Sequence, residues 1–219
     1  MDFHKIRGFP VLLILFNSED PEIRWRTLQL VATLVQNNTY CQTAALKDDL
    51  LSKMLTILDK DSDATVKTKA LYAISCLTRD VPEAQKVFCD KDGFSIVMRA
   101  MQCDVEKLKI KAAFMLSQMC SSNPAFKDIL CDIGMIDQLV GELGEEHVNY
   151  HEHLMSALLA IVKDHQRAIE ECQRTELQLT QLLLNRIEFL KGKEEFLEEK
   201  SYAEELLSII SSESGDVMR

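Results

Sequence analysis

Hydrophobic residues along the chain are spaced by three and four positions, and no stretch alternates apolar and polar residues as a strand would. A short motif recurs about every 42 residues: an apolar residue is followed, one and three positions later, by a basic residue or histidine. Its four copies begin at Ile23, Val66, Leu108 and Tyr150. Such a period is typical of HEAT or armadillo solenoids. We therefore predict an all-α, right-handed, armadillo-like superhelix of about four three-helix repeats with a C-terminal helical cap.

Turn residues divide each predicted repeat into three helices. In the clearest repeat, helices are expected over Pro82 to about Lys91, over Phe94 to Met101 and over about Val105 to Cys120, with a sharp turn at Asp92-Gly93. The predicted domain organisation is armadillo-like repeats over residues 1–176, with the first repeat incomplete, capping helices over 177–210 and a disordered tail over 211–219.

The recurring motif places two basic positions at the start of each third helix. The outer slot comprises Arg24, Lys67, Lys109 and His151, and the inner slot comprises Arg26, Lys69, Lys111 and His153. Two residues correspond to about 200° around a helix, so the slots face different ways. Third helices are expected to line the concave side of the array, where the inner slot would bind a partner together with residues one turn farther. The predicted partner-binding residues are Arg26, Lys69, Tyr72, Lys111, Phe114 and His153.

A structural role is the competing interpretation of both slots. Each third helix is preceded by an acid that could pair with a slot residue: Asp20, Asp63, Asp104 and Glu146. Exposed pairs contribute only about 0–1 kcal/mol, so stability alone is a weak reason for two basic positions in every repeat. The adjoining core stripe is predicted to contain Leu30, Val31 and Leu34; Ala73, Ile74 and Leu77; Met115, Leu116 and Met119; Ala157, Leu158 and Ile161.

The overall charge narrows the class of partner. The 219 residues carry a formal charge of -10 and a pI of about 5.0. A nucleic-acid partner is disfavoured, because phosphate binding needs a net basic footprint. A basic stripe on an acidic chain instead favours an acidic protein surface as partner.

Cysteine usage and the N-terminal sequence bear on localisation. Seven cysteines without a Cys-x-x-Cys pair suit a reducing compartment, and Cys89, Cys131 and Cys172 recur in one repeat position, where a small thiol is expected to fill space between helices. The apolar segment from Phe9 to Phe16 is too short to span a bilayer. We expect a cytoplasmic protein that does not associate with membranes, with the endoplasmic reticulum lumen as the alternative.

Motifs for catalysis are missing from the sequence. It has no glycine-rich phosphate loop, Gly-x-Ser-x-Gly turn or His-Glu-x-x-His motif. The best metal candidate is the group of His147, His151 and His153 with Glu152, but two of these histidines occupy the slots. We therefore expect no enzymatic activity, no catalytic residue, no metal and no cofactor.

Several segments resemble a known family. They include Arg24-Trp25-Arg26, the run from Lys69 to Leu77, Asp92-Gly93-Phe94-Ser95, Met98 to Gln102, Leu108 to Lys111 and His151-Glu152-His153. In order and spacing they are similar to the heat-shock-protein-70-binding protein family of the Fes1 type, from about Gly8 to Leu207. The family's N-terminal segment, much of it flexible, precedes the repeats and has no counterpart in this sequence, so nothing that it contributes is carried over here.

The resemblance implies a nucleotide exchange factor for heat-shock protein 70 (DnaK-type) chaperones. Such a co-chaperone grips the second lobe of the chaperone's ATPase domain and favours an open cleft from which ADP escapes. The alternative is an armadillo-type interaction scaffold without exchange activity. Importin-like peptide binding is disfavoured, because the tryptophan and asparagine ladder of those receptors is replaced here at Tyr72 and Cys76 and at the equivalent positions.

Overall fold

The computed structural model describes Phe3 and residues 8–212 of the chain, and these residues contain helices and no strand. The disordered tail predicted over residues 211–219 falls mostly on residues 213–219, which lie outside the described residues; Ser211 and Ser212 belong to the last helix. The chain divides into two compact units, Met1–Ala112 and Ala113–Arg219.

The first unit begins with seven helices that follow the predicted repeat order. They are α1 (Gly8–Leu15), α2 (Pro21–Val35), α3 (Thr39–Lys47), α4 (Leu50–Lys60), α5 (Ala64–Thr78), α6 (Pro82–Asp90) and α7 (Gly93–Met101). The unit boundary falls within α8 (Glu106–Ser122). The three helices expected over residues 82–120 agree with α6, α7 and α8 to within two residues.

The second unit continues with two further sets of helices. They are α9 (Ala125–Asp132), α10 (Met135–Gly144), α11 (His151–Val162), α12 (Gln166–Cys172), α13 (Leu179–Leu190) and α14 (Leu197–Ser212), with short 3-10 turns at Thr175–Leu177 and Glu194–Phe196. The segment predicted as a cap therefore supplies α13 and α14, which with α12 follow the helix order of a fifth repeat. No described helix is long and apolar enough to cross a bilayer.

Local capping explains where the third helices begin. Asp20 accepts a hydrogen bond from the Glu22 amide, and Asp63 accepts one from the Val66 amide, as N-cap residues do. Pro21 occupies the first turn of α2, where its missing amide hydrogen has no intrahelical partner to lose.

The second helices begin after residues with positive φ. Asp49, Asp92 and Gly134 adopt left-handed conformations immediately before α4, α7 and α10. At the Asp92-Gly93 turn, the sharp bend is thus made by the aspartate. Gly93 is required for another reason: a Cβ atom at this position would lie 2.5 Å from the ring of Phe88.

One buried register runs through all third helices. The outer-slot residue is followed by core residues four, seven and eleven positions later. The five stripes are Arg24, Leu28, Val31 and Val35; Lys67, Leu71, Ile74 and Thr78; Lys109, Ala113, Leu116 and Cys120; His151, Met155, Leu158 and Val162; Glu199, Ala203, Leu206 and Ile210.

The predicted core stripe is correct in three repeats and partly wrong in the first. Its members on α5, α8 and α11 are buried, whereas Leu30 is 41% exposed and Leu34 is half-buried. The face of α5 equivalent to that of Leu30 packs within the array because α2 precedes α5. Among the described residues no third helix precedes α2, so this face is open.

The recurring cysteines have two environments. Cys131 and Cys172 are buried, and burial raises the pKa of the Cys172 thiol to about 12. Cys89 is half-buried, and burial also raises the pKa of its thiol. The space-filling role predicted for this position is thus clearest in the second unit.

Candidate protein-interaction surface

The outer slot points into the structure. Arg24 makes a bidentate ion pair with Asp61, with Nε to Oδ2 at 2.7 Å and Nη2 to Oδ1 at 2.9 Å, and its Nη1 donates to the carbonyl oxygens of Ser18 and Glu19. Burial opposes ionisation of Asp61, but the hydrogen bonds from Arg24 and from the Asp63 amide hold the pKa of the Asp61 carboxyl below its usual range. Arg24 therefore joins the start of α2 to the loop that precedes α5.

The acids proposed as partners of the outer slot have a different role. Asp20 and Asp63 cap α2 and α5, and the carboxylate that pairs with Arg24 is Asp61, from the following repeat. Lys109 is 8% exposed. Lys67 is half-buried, and its Nζ donates to the Asp59 carbonyl at 3.3 Å. These environments favour the structural interpretation of the outer slot.

His151, the outer-slot residue of α11, belongs to a buried polar cluster of the second unit. Arg186 Nη1 lies 3.0 Å from His151 Nδ1 and 2.6 Å from Glu199 Oε1, while Arg186 Nη2 donates to the Leu143 carbonyl at 2.7 Å. His147 Nε2 lies 2.9 Å from the other oxygen of Glu199. A buried arginine paired with a buried glutamate thus replaces apolar packing at this end of the chain.

The protonation state of His151 follows from these contacts. Because Arg186 donates to Nδ1, the proton of the neutral ring is on Nε2, which is buried without a hydrogen-bond partner among the described residues. Burial, followed by the charge of Arg186, lowers the pKa of His151 to about 4. His151 is therefore neutral at physiological pH.

The three histidines of the metal hypothesis have separate roles. His147 pairs with Glu199, His151 accepts from Arg186, and the His153 ring packs against Phe114. Within residues 8–212 and Phe3, no group of three or more histidine, cysteine or acidic side chains is arranged to hold a metal ion.

The inner slot lies on the surface of each unit. In the first unit we define the lysine patch as Trp25, Arg26, Lys69, Tyr72 and Lys111, which are half-buried or exposed residues of α2, α5 and α8. Lys69 Nζ lies 5.8 Å from the centroid of the Trp25 ring, and Lys111 Nζ lies 4.8 Å from that of Tyr72. Each aromatic ring is thus approached by the inner-slot lysine of the next repeat.

The second unit repeats this pairing with a histidine. The rings of Phe114 and His153 lie 4.7 Å apart, and Phe114 is 59% exposed. Cation–π contacts at exposed sites contribute about 0.5–1 kcal/mol, which limits the motion of a lysine without removing its charge from solvent. The inner slot therefore presents charge beside flat apolar surface, a combination enriched at protein interfaces.

Ion pairing differs within the lysine patch. Arg26 pairs with Glu22 one turn earlier at 2.6 Å, and both side chains are more than half exposed. Within the described part of the chain, no carboxylate lies within ion-pair distance of Lys69 or Lys111. These two lysines are consequently the members best placed to meet an acidic partner.

Trp25 is the one patch member absent from the predicted partner-binding set. Its half-buried ring is contacted by the Arg26 guanidinium at 4.7 Å as well as by Lys69. Trp25 lies between the two slots, outside the three-and-four spacing used to choose the set. The signal that could have found it is its residue type, since tryptophan is enriched among the residues that dominate binding energy at interfaces.

Comparison with known proteins identifies the family. The family model of the SIL1/FES1/HPBP1 C-terminal domain matches residues 1–129. The chain belongs to this family.

Curated relatives support the assignment. The chain is 43% identical to mouse Hsp70-binding protein 1 over 219 residues, covering 99% of this chain and 61% of the mouse protein. It is 30% identical to the Hsp70 nucleotide exchange factor FES1 of Candida glabrata over 191 residues, covering 84% of this chain and 64% of the yeast protein. The chain thus spans about three fifths of the length of these relatives. The predicted family resemblance is confirmed.

Solved structures confirm the all-α, armadillo-like fold. A designed armadillo repeat protein, YIII(Dq)4CqI, is similar with a TM-score of 0.76 at 15% identity, over 95% of this chain and 84% of that protein. The armadillo-repeats-only protein of Plasmodium falciparum is similar with a TM-score of 0.69 at 15% identity, over 86% and 80% of the two chains. At these identities the likeness concerns the fold alone.

Proposed function

We propose that this SIL1/FES1/HPBP1-family chain is a nucleotide exchange factor that binds the ATPase domain of Hsp70-type chaperones and promotes ADP release. Support comes from the names of its relatives, Hsp70-binding protein 1 and Hsp70 nucleotide exchange factor FES1. The observation that carries the proposal to particular residues is the lysine patch, where Lys69 and Lys111 present charge without a carboxylate partner among the described residues.

The lysine patch is the proposed main contact, with the Phe114 and His153 pair as a second contact. In order of expected contribution, the contact residues are Lys111, Lys69, Arg26, Tyr72, Phe114 and His153, with Trp25 added on the evidence of its position. A net charge of -10 disfavours unspecific binding to acidic proteins, so binding requires a partner whose acidic groups match the patch. The proposed binding surface is the second lobe of the ATPase domain.

Exchange on this proposal is a shift between two conformers of the chaperone. Binding can open the nucleotide cleft only if the chain contacts the open conformer more tightly than the closed one. A hundredfold acceleration of ADP release requires about 2.7 kcal/mol of such preference. No bond is made or broken, so no catalytic residue is proposed. The cytoplasmic localisation of the chain stays a prediction.

The proposal is tested by stopped-flow release of fluorescent ADP from a purified Hsp70 ATPase domain. Saturating chain is expected to accelerate release, and the double variant Lys69→Glu, Lys111→Glu is expected to lose the acceleration at the same concentration. The matched control is Lys53→Glu, Lys86→Glu, which makes the same charge change at exposed positions of α4 and α6. Wild-type chain that leaves the release rate unchanged would overturn the exchange function.

Binding measured in the same samples separates exchange from the scaffold alternative. Titration calorimetry with the ATPase domain and with its isolated second lobe should give similar affinities if that lobe carries the contact. Tight binding without accelerated release would favour the scaffold. Retention of full affinity by the Lys69→Glu, Lys111→Glu variant would remove the lysine patch from the proposal.

A further inference from the structure

The outer-slot lysine of α5 has an unusual neighbour. Lys67 Nζ lies 3.9 Å from the Sγ atom of Cys103, in the loop between α7 and α8, and donates to the Asp59 carbonyl oxygen on its other side. Both Lys67 and Cys103 are half-buried. An amine and a thiol from neighbouring repeats are thus held side by side where small solutes can reach them.

Comparison of the repeats shows what Cys103 replaces. Asp61, the partner of Arg24, lies five residues before Val66, and Cys103 lies five residues before Leu108. The outer-slot cation of α2, Arg24, is therefore paired with a carboxylate of the following repeat, whereas that of α5, Lys67, faces a thiol. Among the described residues, α5 therefore has no counterpart of the ion pair that anchors α2 at this position.

Cysteine 103 also differs from most cysteines of the chain. Five of the seven are buried, and only Cys89 and Cys103 are half-buried. Exposure is one of the conditions for oxidation of a thiol to sulfenic acid by peroxide. Of the two half-buried cysteines, Cys103 is the one that has a lysine amine at contact distance.

We propose that Lys67 and Cys103 form an oxidation-dependent covalent bridge that joins α5 to the loop preceding α8. Hydrogen peroxide first converts the Cys103 thiol to sulfenic acid, releasing one water: the sulfur is oxidised and the peroxide is reduced. The neutral Lys67 amine then attacks that sulfur, an S–N bond forms, and the sulfenic hydroxyl leaves with an amine proton as a second water. The product, a sulfenamide, contains two hydrogen atoms fewer than the reduced pair.

Proximity is the physical reason to expect this product. A sulfenic acid is consumed by whichever nucleophile reaches it first, and a group held at contact distance acts at an effective concentration far above that of free thiols. The hydrogen bond from Lys67 to the Asp59 carbonyl keeps the amine at the sulfur. The bridge would close a loop of more than thirty residues and restrict the unfolded chain, as a disulfide does.

The inner slot is untouched by this chemistry, since Lys69 belongs to the lysine patch and Lys67 does not. The inference therefore stands apart from the proposed function. Its test uses the purified chain alone and needs no chaperone.

The test is peptide mapping by mass spectrometry after treatment of the full chain with hydrogen peroxide at mildly alkaline pH. The expected result is a cross-linked peptide containing Lys67 and Cys103, two hydrogen atoms lighter than the sum of its parts, that separates on treatment with dithiothreitol. The bridged fraction should melt about 5 °C higher than the reduced chain.

Three variants make the result specific. Cys103→Ser and Lys67→Arg should both abolish the cross-link, the second while keeping the outer-slot charge, and Cys89→Ser should leave it intact. Sulfinic or sulfonic acid at Cys103 with unmodified Lys67 would overturn the proposal, as would an unreacted pair. A cross-linked peptide one oxygen heavier than the sulfenamide product, and separated by dithiothreitol, would contain an N–O–S bridge and overturn the condensation step.

Discussion

The outer and inner slots lie two residues apart on the same helices and carry the same kinds of side chain, yet their environments differ. Outer-slot Arg24 is bound on three sides, by Asp61 and by two carbonyl oxygens, whereas inner-slot Arg26 is mostly exposed and pairs within its own helix turn. The phase of the helix decides this difference. A repeated charge is an anchor on one side of the helix and, on the proposal above, a binding group on the other.

The comparison predicts that substitutions at the outer slot and at the buried residues around it change stability strongly, whereas substitutions at the inner slot change it little. The largest is expected for Glu199→Gln, which leaves Arg186 buried without its counter-charge. Removing one partner of a buried ion pair costs about 3–5 kcal/mol of unfolding free energy. Urea unfolding measures this loss. Lys163→Ala, which breaks the exposed pair with Glu205, is the control and should cost far less unfolding free energy.

The second effect is a dependence of stability on pH. The folded-state pKa of His151 is lowered to about 4, below the unfolded value of about 6.5, so the unfolded chain binds a proton first as the pH falls. His151 should therefore lower the unfolding free energy by up to about 3 kcal/mol between pH 6.5 and pH 4.

Comparison with His151→Gln isolates this effect from the titration of carboxylates. The glutamine variant keeps an acceptor for Arg186 and does not titrate, so its unfolding free energy should fall less steeply over the same pH range. Parallel curves for the two proteins would show that His151 has the same pKa in the folded and the unfolded chain, which would contradict this prediction.

The third effect compares the slots directly on α2. Arg24→Ala removes the bidentate pair with Asp61 and both carbonyl contacts, and should cost about 2 kcal/mol. Arg26→Ala removes an exposed pair along one helix and should cost about 0.5 kcal/mol. Equal losses in thermal unfolding would contradict the division into an anchoring and a binding slot.

The smallest effect on stability is expected in the lysine patch. Lys69→Glu with Lys111→Glu breaks two exposed cation–π contacts, so the melting temperature should change by only a few degrees, while affinity for the Hsp70 ATPase domain should fall at least tenfold. Circular dichroism and titration calorimetry measure the two quantities. An unfolded double variant would assign the inner slot a structural role.

Much of the fold could be predicted from the sequence, because repeat period, caps and turns are local signals. Asp20-Pro21 and Asp63 begin α2 and α5 as their residue types predict. The exposure of the inner slot followed from helix phase. The partners of the outer slot could not be predicted, because Arg24 and Asp61 belong to different repeats and their contact depends on how two helices pack.

The contacts within the buried cluster of the second unit could not be predicted from the sequence either. Arg186 stands in a helical position where spacing predicts an apolar residue, and nothing local indicates that Glu199 and His151 surround it. Only the assembled helices bring the three side chains together.

Arg186 also distinguishes the last module from the others. Each second helix, with Phe16 just after the end of α1 counted in the first set, has three buried positions in the same register: Phe9, Leu12 and Phe16; Leu51, Met54 and Leu58; Phe94, Val97 and Met101; Ile136, Leu139 and Leu143; Leu183, Arg186 and Leu190. Only in the last set of these described helices is the middle position charged. Because its counter-charge comes from α14, this module is not interchangeable with an internal one. A genetic duplication that moved α13 without α14 would place an uncompensated guanidinium inside the protein. The charges of these two helices therefore require them to stay together.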